Sequence, residues 1–331
     1  MRRIGHRRGE RTALVAGGAG FLGSHLCDSL LQDNWRVICV DNLLTGAREN
    51  VAHLAREPRF DLIERDVIEA LPINCGIDAV YNLACAASPP RYQADPVHTM
   101  MTSVMGARNL LDIAEQNRAR FVQASTSEVY GDPLEHPQRE SYWGNVNPTG
   151  PRACYDEGKR AAEALCFDYL RPGRVDVRVA RIFNTYGPRM HPQDGRIVSN
   201  LIMQALQGLP LTIYGSGEQT RSFCYVSDLV AGLRALGEAA ENPRAPVNLG
   251  NPGEFTILEL ASLVIETTGS VGGLAFEPLP QDDPQRRRPD ISSAQAMLGW
   301  KPRIKLADGL PPTIDYFRGC VASRVESAAA E

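Results

Sequence analysis

No apolar run in this 331-residue chain approaches the ~20 residues that a bilayer-crossing helix needs, so the sequence predicts no membrane span. Nor is there an excess of basic residues. The 35 Lys and Arg against 39 Asp and Glu leave a formal charge of −4, which argues against a molecule built as a whole for nucleic acid. C-x-x-C pairs are missing, and no Cys/His cluster has zinc-like spacing, so no metal site is expected. The eight cysteines lie mostly in apolar runs and read as core thiols of a reducing compartment, which points to the cytoplasm. Internal repeats and low-complexity tracts are absent as well. The basic opening, Met1 to Arg11, lacks a following apolar h-region and a small-residue cleavage site. It reads as a frayed basic tail rather than a signal, with a weak anionic-surface contact as the alternative.

What the chain does have is core-forming residues, at 43% hydrophobic and 22% charged. Its length suits one large domain or two unequal ones. Thr12 to Ala16 reads as a short apolar strand that runs into Gly17-Gly18-Ala19-Gly20-Phe21-Leu22-Gly23, with a helix over Ser24 to Asp33. Strand, glycine turn and helix in this order form a dinucleotide-binding unit. Gly17 permits the tight turn, Gly20 lets backbone approach a pyrophosphate, and Gly23 lets the helix pack on the strand. The helix N-terminus then faces the phosphates. The spacing is G-x-x-G-x-x-G, and a purely structural turn is the bland alternative. The next strand, Arg36 to Val40, ends in Asp41-Asn42, about 20 residues past the glycines, where an acid holds the adenosine ribose. A carboxylate there repels a 2′-phosphate, which favours NAD over NADP. A third strand, Phe60 to Glu64, leads to Asp66-Val67 beside the adenine, and a fourth, Ala79 to Ala84, leads to a proline-stiffened loop from Cys85 to Pro96. Val97 to Glu115 has a helical apolar pattern, from which only Thr102 is small and polar enough to touch a cofactor.

The chemistry-bearing stretch follows. Phe121 to Ala124 reads as a buried strand ending in Ser125-Thr126-Ser127-Glu128-Val129-Tyr130-Gly131. Farther on, Tyr155 and Lys159 are four residues apart on a predicted helix and share one face. A hydroxyl, a carboxylate, a phenol and an ammonium therefore converge where a strand ends.

This ordered set resembles the extended short-chain dehydrogenase/reductase superfamily, and more narrowly the UDP-glucuronate decarboxylases. The resemblance runs over roughly residues 12 to 318. It is carried by Ala124 to Pro133, His136-Pro137-Gln138, Tyr142-Trp143-Gly144, Gly150-Pro151-Arg152-Ala153-Cys154-Tyr155-Asp156-Glu157-Gly158-Lys159-Arg160, Arg178 to His191, and Asp282-Asp283-Pro284-Gln285. It implies an α/β fold: a Rossmann-type doubly wound parallel sheet over 12–182, and over 183–320 a smaller, mainly nucleotide-sugar-binding α/β region returning segments to that sheet. The tail 321–331 is small and polar and is expected to be disordered.

The resemblance implies bound NAD and a UDP-sugar substrate. Sugar C4 is oxidised transiently, the resulting 4-keto acid loses CO₂, and the C4 ketone is reduced again. By resemblance Tyr155 is the base at the C4 hydroxyl. Its phenol, ordinarily near ~10, must then be lowered, and Lys159 one turn away favours the phenolate. Thr126 hydrogen-bonds the C4 oxygen, Glu128 serves the C5/carboxylate region, and Arg221 acts on the pyrophosphate and sugar. Resembling 4,6-dehydratases carry an Asp-Glu pair after the threonine; here Ser127 stands in place of that Asp. Resembling 4-epimerases lack the Glu, so the Ser127-Glu128 pair points to decarboxylation. The alternatives are an epimerase, a dehydratase, or a catalytically idle scaffold. The cofactor set implied is Gly17, Gly20, Phe21, Leu22, Gly23, Asp41, Asn42, Leu44, Thr45, Gly46, Asp66, Val67, Leu83, Cys85, Thr102, Ala124, Tyr155, Lys159 and Thr185. The substrate set is Tyr92, Ser127, Asn184, Arg196, Val198, Tyr214, Arg221 and, from the Arg286-Arg287-Arg288 triplet, Arg286 at the diphosphate.

Three departures from the family pattern stand on the sugar side: Cys85-Ala86 in place of Ser-Pro, Arg91, and Ser103. The region 196–207 reads as a helix and Leu211 to Tyr214 as a strand. A further helix is expected from Val226, capped by Ser227 or Asp228, while 242–256 and 278–290 read as loops. The helices 104–117 and 152–170 carry more apolar surface than one sheet face needs. In resembling proteins they form a four-helix bundle, so a homodimer is expected.

Overall fold

The structure is a computed structural model and describes residues 11–279 and 286–330. The basic tail through Glu10 and the Asp282 to Gln285 motif lie outside the described residues. Strand β1 (Thr12–Ala16) is buried throughout. It leads to helix α1 (Phe21–Gln32), which starts three residues earlier than the sequence suggests because Gly20 is its N-cap. Strands β2 (Arg36–Asp41), β3 (Phe60–Glu64) and β4 (Ala79–Asn82) follow. The proline loop after β4 contains a helical turn, α2 (Pro89–Tyr92). The expected single helix from Val97 is divided into α3 (Pro96–Met101), a π-helical turn over Thr102–Gly106 and α4 (Ala107–Asn117). A π-turn inserts one residue per turn and redirects the side chains on either side of it, a change that apolar periodicity does not reveal. Strand β5 (Arg120–Thr126), helix α5 (Ala153–Leu170) and strand β6 (Asp176–Ile182) complete the first half.

The second half alternates short strands and helices: β7 (Thr185–Tyr186), α6 (Ile197–Leu206), β8 (Leu211–Tyr214), β9 (Thr220–Ser222), β10 (Cys224–Tyr225) and α7 (Val226–Glu238). The segment 242–256, expected as loop, holds strands β11 (Val247–Leu249) and β12 (Glu254–Thr256). Helix α8 (Ile257–Thr268) begins with a reciprocal capping box between Thr256 and Glu259, which satisfies orphan donors at its first turn. Strand β13 (Leu274–Glu277) and the two-residue β14 (Arg286–Arg287) follow, the latter again inside an expected loop. Helices α9 (Ser292–Leu298) and α10 (Leu306–Ala330) end the chain, so the expected disordered tail is helical through Ala330.

Seven strands form one sheet in the order β3-β2-β1-β4-β5-β6-β11, with every neighbouring pair parallel. Parallel sheets are covered on both faces, and strand alternation divides the core accordingly. Ala13, Val15, Val37 and Cys39 pack with Leu26 and Leu30 of α1 and Leu229 and Leu233 of α7. Leu14, Ala16, Ile38 and Val40 pack with Leu110 and Leu111 of α4 and Cys166 and Leu170 of α5. A third core joins α6, α8 and α10 through Leu201, Ile202, Leu260, Leu310 and Phe317. The strand order reverses between β1 and β4, which is where ligands bind in open α/β sheets.

Asp228 does not cap α7. The N-cap is Tyr225, with no side-chain bond, and both Ser227 and Asp228 lie within the first turn. The Asp228 carboxylate instead accepts from the backbone N–H groups of Arg303 and Ile304 at 2.8 and 2.7 Å, while its carbonyl accepts from Trp300 Nε1 at 2.9 Å. It pins the approach to α10 onto α7. Asp228→Ala removes two hydrogen bonds accepted by a buried carboxylate, and bonds to a charged group are worth roughly 1.5–3 kcal/mol each. The expected result in urea denaturation is a loss of about 2–4 kcal/mol in unfolding free energy; a change under about 0.5 kcal/mol, typical of an exposed surface site, would refute this role.

Candidate functional site

A cavity of about 1420 Å³ opens at the carboxyl ends of β1, β2, β4 and β5 and extends beneath the second half of the chain. Single-ligand sites span about 300–1,000 Å³, so this one has room for two ligands side by side. Of the residues in the catalytic, cofactor and substrate sets given above, all but Gly46 and Arg286 line it.

At one end the glycine turn forms a cradle. Gly17 has φ +74°, and a Cβ there would stand 2.7 Å from Leu83 O; a Cβ on Gly23 would stand 2.0 Å from Gly17 O. Both positions therefore exclude any side chain, and backbone is left open to the cavity at the α1 N-terminus. That fits a dinucleotide diphosphate. Asp41 ends β2, with Oδ2 accepting from Ala19 N at 2.9 Å and Oδ1 from Leu43 N at 2.8 Å. These bonds aim an acid at the ribose position. Gly46 touches this carboxylate rather than the cavity, because a Cβ there would lie 2.7 Å from Asp41 Oδ1.

At the other end the polar residues of β5 and α5 meet. Thr126 ends β5 and accepts from Glu128 N at 3.2 Å, capping the short turn Ser127–Tyr130. Tyr155 is buried and stacks on Tyr92 with ring centroids 4.9 Å apart and planes 5° from parallel. Lys159 Nζ donates to Ala124 O at 3.0 Å and lies 5.8 Å from the Tyr155 ring centroid. A tyrosine acting as base calls for a lowered phenol. Instead burial, and then the neighbouring Cys85, push Tyr155 well above its ordinary value, opposed by a hydrogen bond with Thr126. Burial also lowers Lys159. Two buried groups that each disfavour charge hold a neutral phenol, and releasing its proton requires positive charge beside it.

Glu128 is the electrostatic centre. Its carboxylate meets Arg287 at 2.8 Å and Arg152 at 2.9 Å. Burial pushes the carboxyl up, but Arg287, Arg152 and then Arg221 outweigh it and hold Glu128 below its ordinary range. Arg287 Nη1 also reaches Asn184 Oδ1 at 3.4 Å. Arg287, rather than the expected Arg286, is thus the member of the triplet that faces the cavity. In β14, Arg286 pairs with Thr220 and Arg287 with Arg221. Alternation puts Arg221 and Arg287 on the cavity face, both buried, whereas Arg286 is exposed and lines a separate cleft beside His136. A two-residue strand gives no readable period in sequence. Arg152, also missed, was legible: it precedes Tyr155 by three residues on one helical face. His98, likewise unmarked, lines the cavity near Asp66. Among the described residues no cluster of His, Cys, Asp and Glu is placed to hold a metal ion, and no helix is long and apolar enough to cross a membrane.

Asp156 adds a second buried acid. Its Oδ1 has no hydrogen-bond partner, and burial, followed by the Glu128 charge, raises the carboxyl from 3.8 to about 7. Between those values the folded chain holds a proton that the unfolded chain has lost. The group's contribution to stability is thus full below 3.8 and disappears as pH rises through about 7. Asp156→Asn removes this dependence. The variant is expected to gain stability over the parent by on the order of 1–3 kcal/mol more at about pH 8 than at about pH 5, read by thermal or urea unfolding. An equal difference at both pH values would show that Asp156 is not held protonated.

With this geometry in view, the chain can be set beside known proteins. Residues 13–250 match the NAD dependent epimerase/dehydratase family. UDP-glucuronic acid decarboxylase 1 of Arabidopsis thaliana is 54% identical over 323 residues, covering 98% of this chain and 73% of that one. UDP-glucuronic acid decarboxylase 1 of Xenopus tropicalis is 55% identical over 309 residues, covering 93% and 72%. Among solved structures, UDP-glucuronic acid 4-epimerase of Bacillus cereus in complex with UDP-glucuronic acid and NAD superimposes with a TM-score of 0.83 at 30% identity, over 93% of this chain and 99% of that chain. The glycine cradle, the acid after β2 and the Thr126, Tyr155 and Lys159 set thus belong to a chain that is a member of the NAD dependent epimerase/dehydratase family.

Proposed function

We propose that this protein decarboxylates UDP-glucuronate to UDP-xylose using a retained NAD. The observation that carries the reading is the ionised Glu128, held by Arg152 and Arg287 next to Thr126 and Tyr155. The similarity to proteins named UDP-glucuronic acid decarboxylase supports it.

When bound in the glycine cradle, NAD would supply a reversible two-electron acceptor for the carbon bearing the sugar 4-hydroxyl, and the positive charge that release of the Tyr155 proton requires. Tyr155 takes the proton of that hydroxyl and later returns it. Once C4 is a ketone, the substrate carboxylate lies β to a carbonyl, and CO₂ leaves with charge passing to the C4 oxygen; uptake of a proton at C5 in place of the lost CO₂ and re-reduction at C4 then give the product. Thr126 and Tyr155 are placed to hold that oxygen by hydrogen bonds. Arg221 and Arg287, adjacent across β9 and β14, offer a fixed cationic pair for the diphosphate and sugar acid. Tyr92, stacked on Tyr155, limits how the sugar ring enters.

Product mass tests the reading. Purified protein given UDP-glucuronate is expected to yield a nucleotide sugar lighter by CO₂. An unchanged mass would indicate a 4-epimerase, and loss of water a dehydratase; either sinks the decarboxylase reading. Tyr155→Phe should lower kcat by roughly 10²–10⁴-fold while the fold persists, and an unchanged kcat would refute the role of Tyr155.

We further propose a homodimer built on α3, α4 and α5. Val97 is 72% exposed and Met101 38%, four residues apart on one face of α3, which packs against α5. Light scattering is expected to give twice 36.2 kDa, and the Val97→Asp, Met101→Asp double variant the monomer mass. A monomeric parent at micromolar concentration would end this proposal.

A further inference from the structure

His98 belongs to none of the residue sets read from the sequence, yet it lines the cavity beside Asp41 and Asp66. It lies in the first turn of α3, where its own N–H donates to Asp95 Oδ1 at 3.0 Å. Its Nε2 stands 2.7 Å from Asp66 Oδ2. The same oxygen accepts from Asn42 Nδ2 at 2.7 Å, and the other, Oδ1, accepts from Ile68 N at 3.0 Å. His98 is 24% and Asp66 15% exposed at the side chain, so solvent competes weakly for these bonds.

A carboxylate oxygen accepts about two hydrogen bonds. Oδ2 is filled by donors from two separate elements, the loop after β2 and helix α3. Oδ1 keeps one accepting position. Restraint on Oδ2 from two sides also prevents the free rotation that a terminal carboxylate otherwise has. Asp66 follows β3, the next strand outward from β2, and Asn42 joins it to the segment carrying Asp41. If Asp41 holds the adenosine ribose, the groove beyond it takes the base. This step rests on the dinucleotide reading above.

We propose that His98 is a positioning residue: it locks the Asp66 carboxylate as an acceptor for the exocyclic amine of the purine, so that the site selects a 6-amino base over a 6-oxo base. An amine donates to a fixed carboxylate, whereas a carbonyl meets it lone pair to lone pair. Burial raises the Asp66 carboxyl, but Ile68 N, His98 and Asn42 outweigh it and hold it below its ordinary range. It therefore carries no proton to offer a carbonyl.

The test uses NAD and nicotinamide hypoxanthine dinucleotide, titrated calorimetrically into the parent protein, His98→Ala and His98→Gln, each first freed of retained dinucleotide and checked for its absence by absorbance. UDP is titrated as a control. Gln places a donor near the position of histidine Nε2. The parent is expected to prefer NAD by about tenfold or more, equivalent to about 1.4 kcal/mol. His98→Ala should reduce that ratio to about threefold or less with UDP affinity unchanged, and His98→Gln should restore most of it. If the alanine variant does not fold, His98→Met keeps the volume without a donor and serves in its place. A ratio unchanged in the donorless variant, or weakening of both dinucleotides and UDP alike, overturns the positioning role. A parent that binds both dinucleotides equally overturns the base selection. A parent that binds neither overturns the dinucleotide reading itself.

Discussion

The ion cluster of Glu128 with Arg152 and Arg287 is the constraint on which the site depends. Its three members come from the end of β5, the start of α5 and the two-residue strand β14. A buried pair stripped of one partner leaves an uncompensated charge, at a cost of roughly 3–5 kcal/mol. The second half of the chain is therefore not free to lie at an arbitrary distance from the sheet. Arg287 can reach Glu128 only if β14 is in register on β9, and that register also places Arg221 on the cavity. One electrostatic requirement thus sets the position of a strand too short to be specified by its own propensity.

Behind this cluster lies a second buried network. Ser125 Oγ donates to Glu163 Oε1 at 2.5 Å, and Arg181 bridges Glu163 at 2.7 Å to the Tyr130 hydroxyl at 3.0 Å. Tyr130 in turn donates to Asn248 Oδ1 at 2.8 Å. The chain of bonds crosses β5, α5, β6 and β11, so the strand end that carries Thr126 is braced from three neighbouring elements. Satisfied buried networks rigidify what they join, and reactive groups perform best when their supports are fixed. The sheet contributes more than a platform: its outermost strand, β11, comes from the second half of the chain and fastens that half to the first.

Much of this was legible in the sequence. The glycine turn, Asp41 and the Tyr155/Lys159 spacing are local patterns, and local patterns survive folding. Strands β1 to β6 announce themselves as apolar runs because both sheet faces are covered. What escaped is long-range or short. Strands β11 and β12 lie inside a segment rich in turn formers, and pairing rather than propensity makes them strands. Asp228 has the look of a cap, but the approach of Arg303 and Ile304 from 75 or more residues away claims its carboxylate. The choice among Arg286, Arg287 and Arg288 could not be made without the register of β14. The phenol of Tyr155 is the clearest difference, since a catalytic role predicts a lowered value while burial raises it. The sequence names the groups; desolvation decides their charge.

That last point bears on which reaction the site favours. Dehydration across C5 and C6 needs an acid and a base that exchange a proton during turnover. Ser127 is buried and has no acidic proton near neutrality, and Glu128 is pinned in its ionised form by two guanidinium groups. Neither suits that exchange. Glu128 draws Arg152 and Arg287 together, and the pairing of β14 on β9 sets Arg221 beside Arg287 on the same cavity wall. Guanidinium forks so placed suit a substrate bearing a carboxylate as well as a diphosphate. Burial and the Glu128 charge also explain why Asp156 is driven towards its neutral form: with Glu128 already ionised close by, a second buried negative charge on that side of α5 is disfavoured. A neutral Asp156 adds no further negative charge on that side of the cavity. The buried Ser127 and the ionised Glu128 thus set this site apart from one built for dehydration, and the proposed loss of CO₂ is the reaction that their charge states favour.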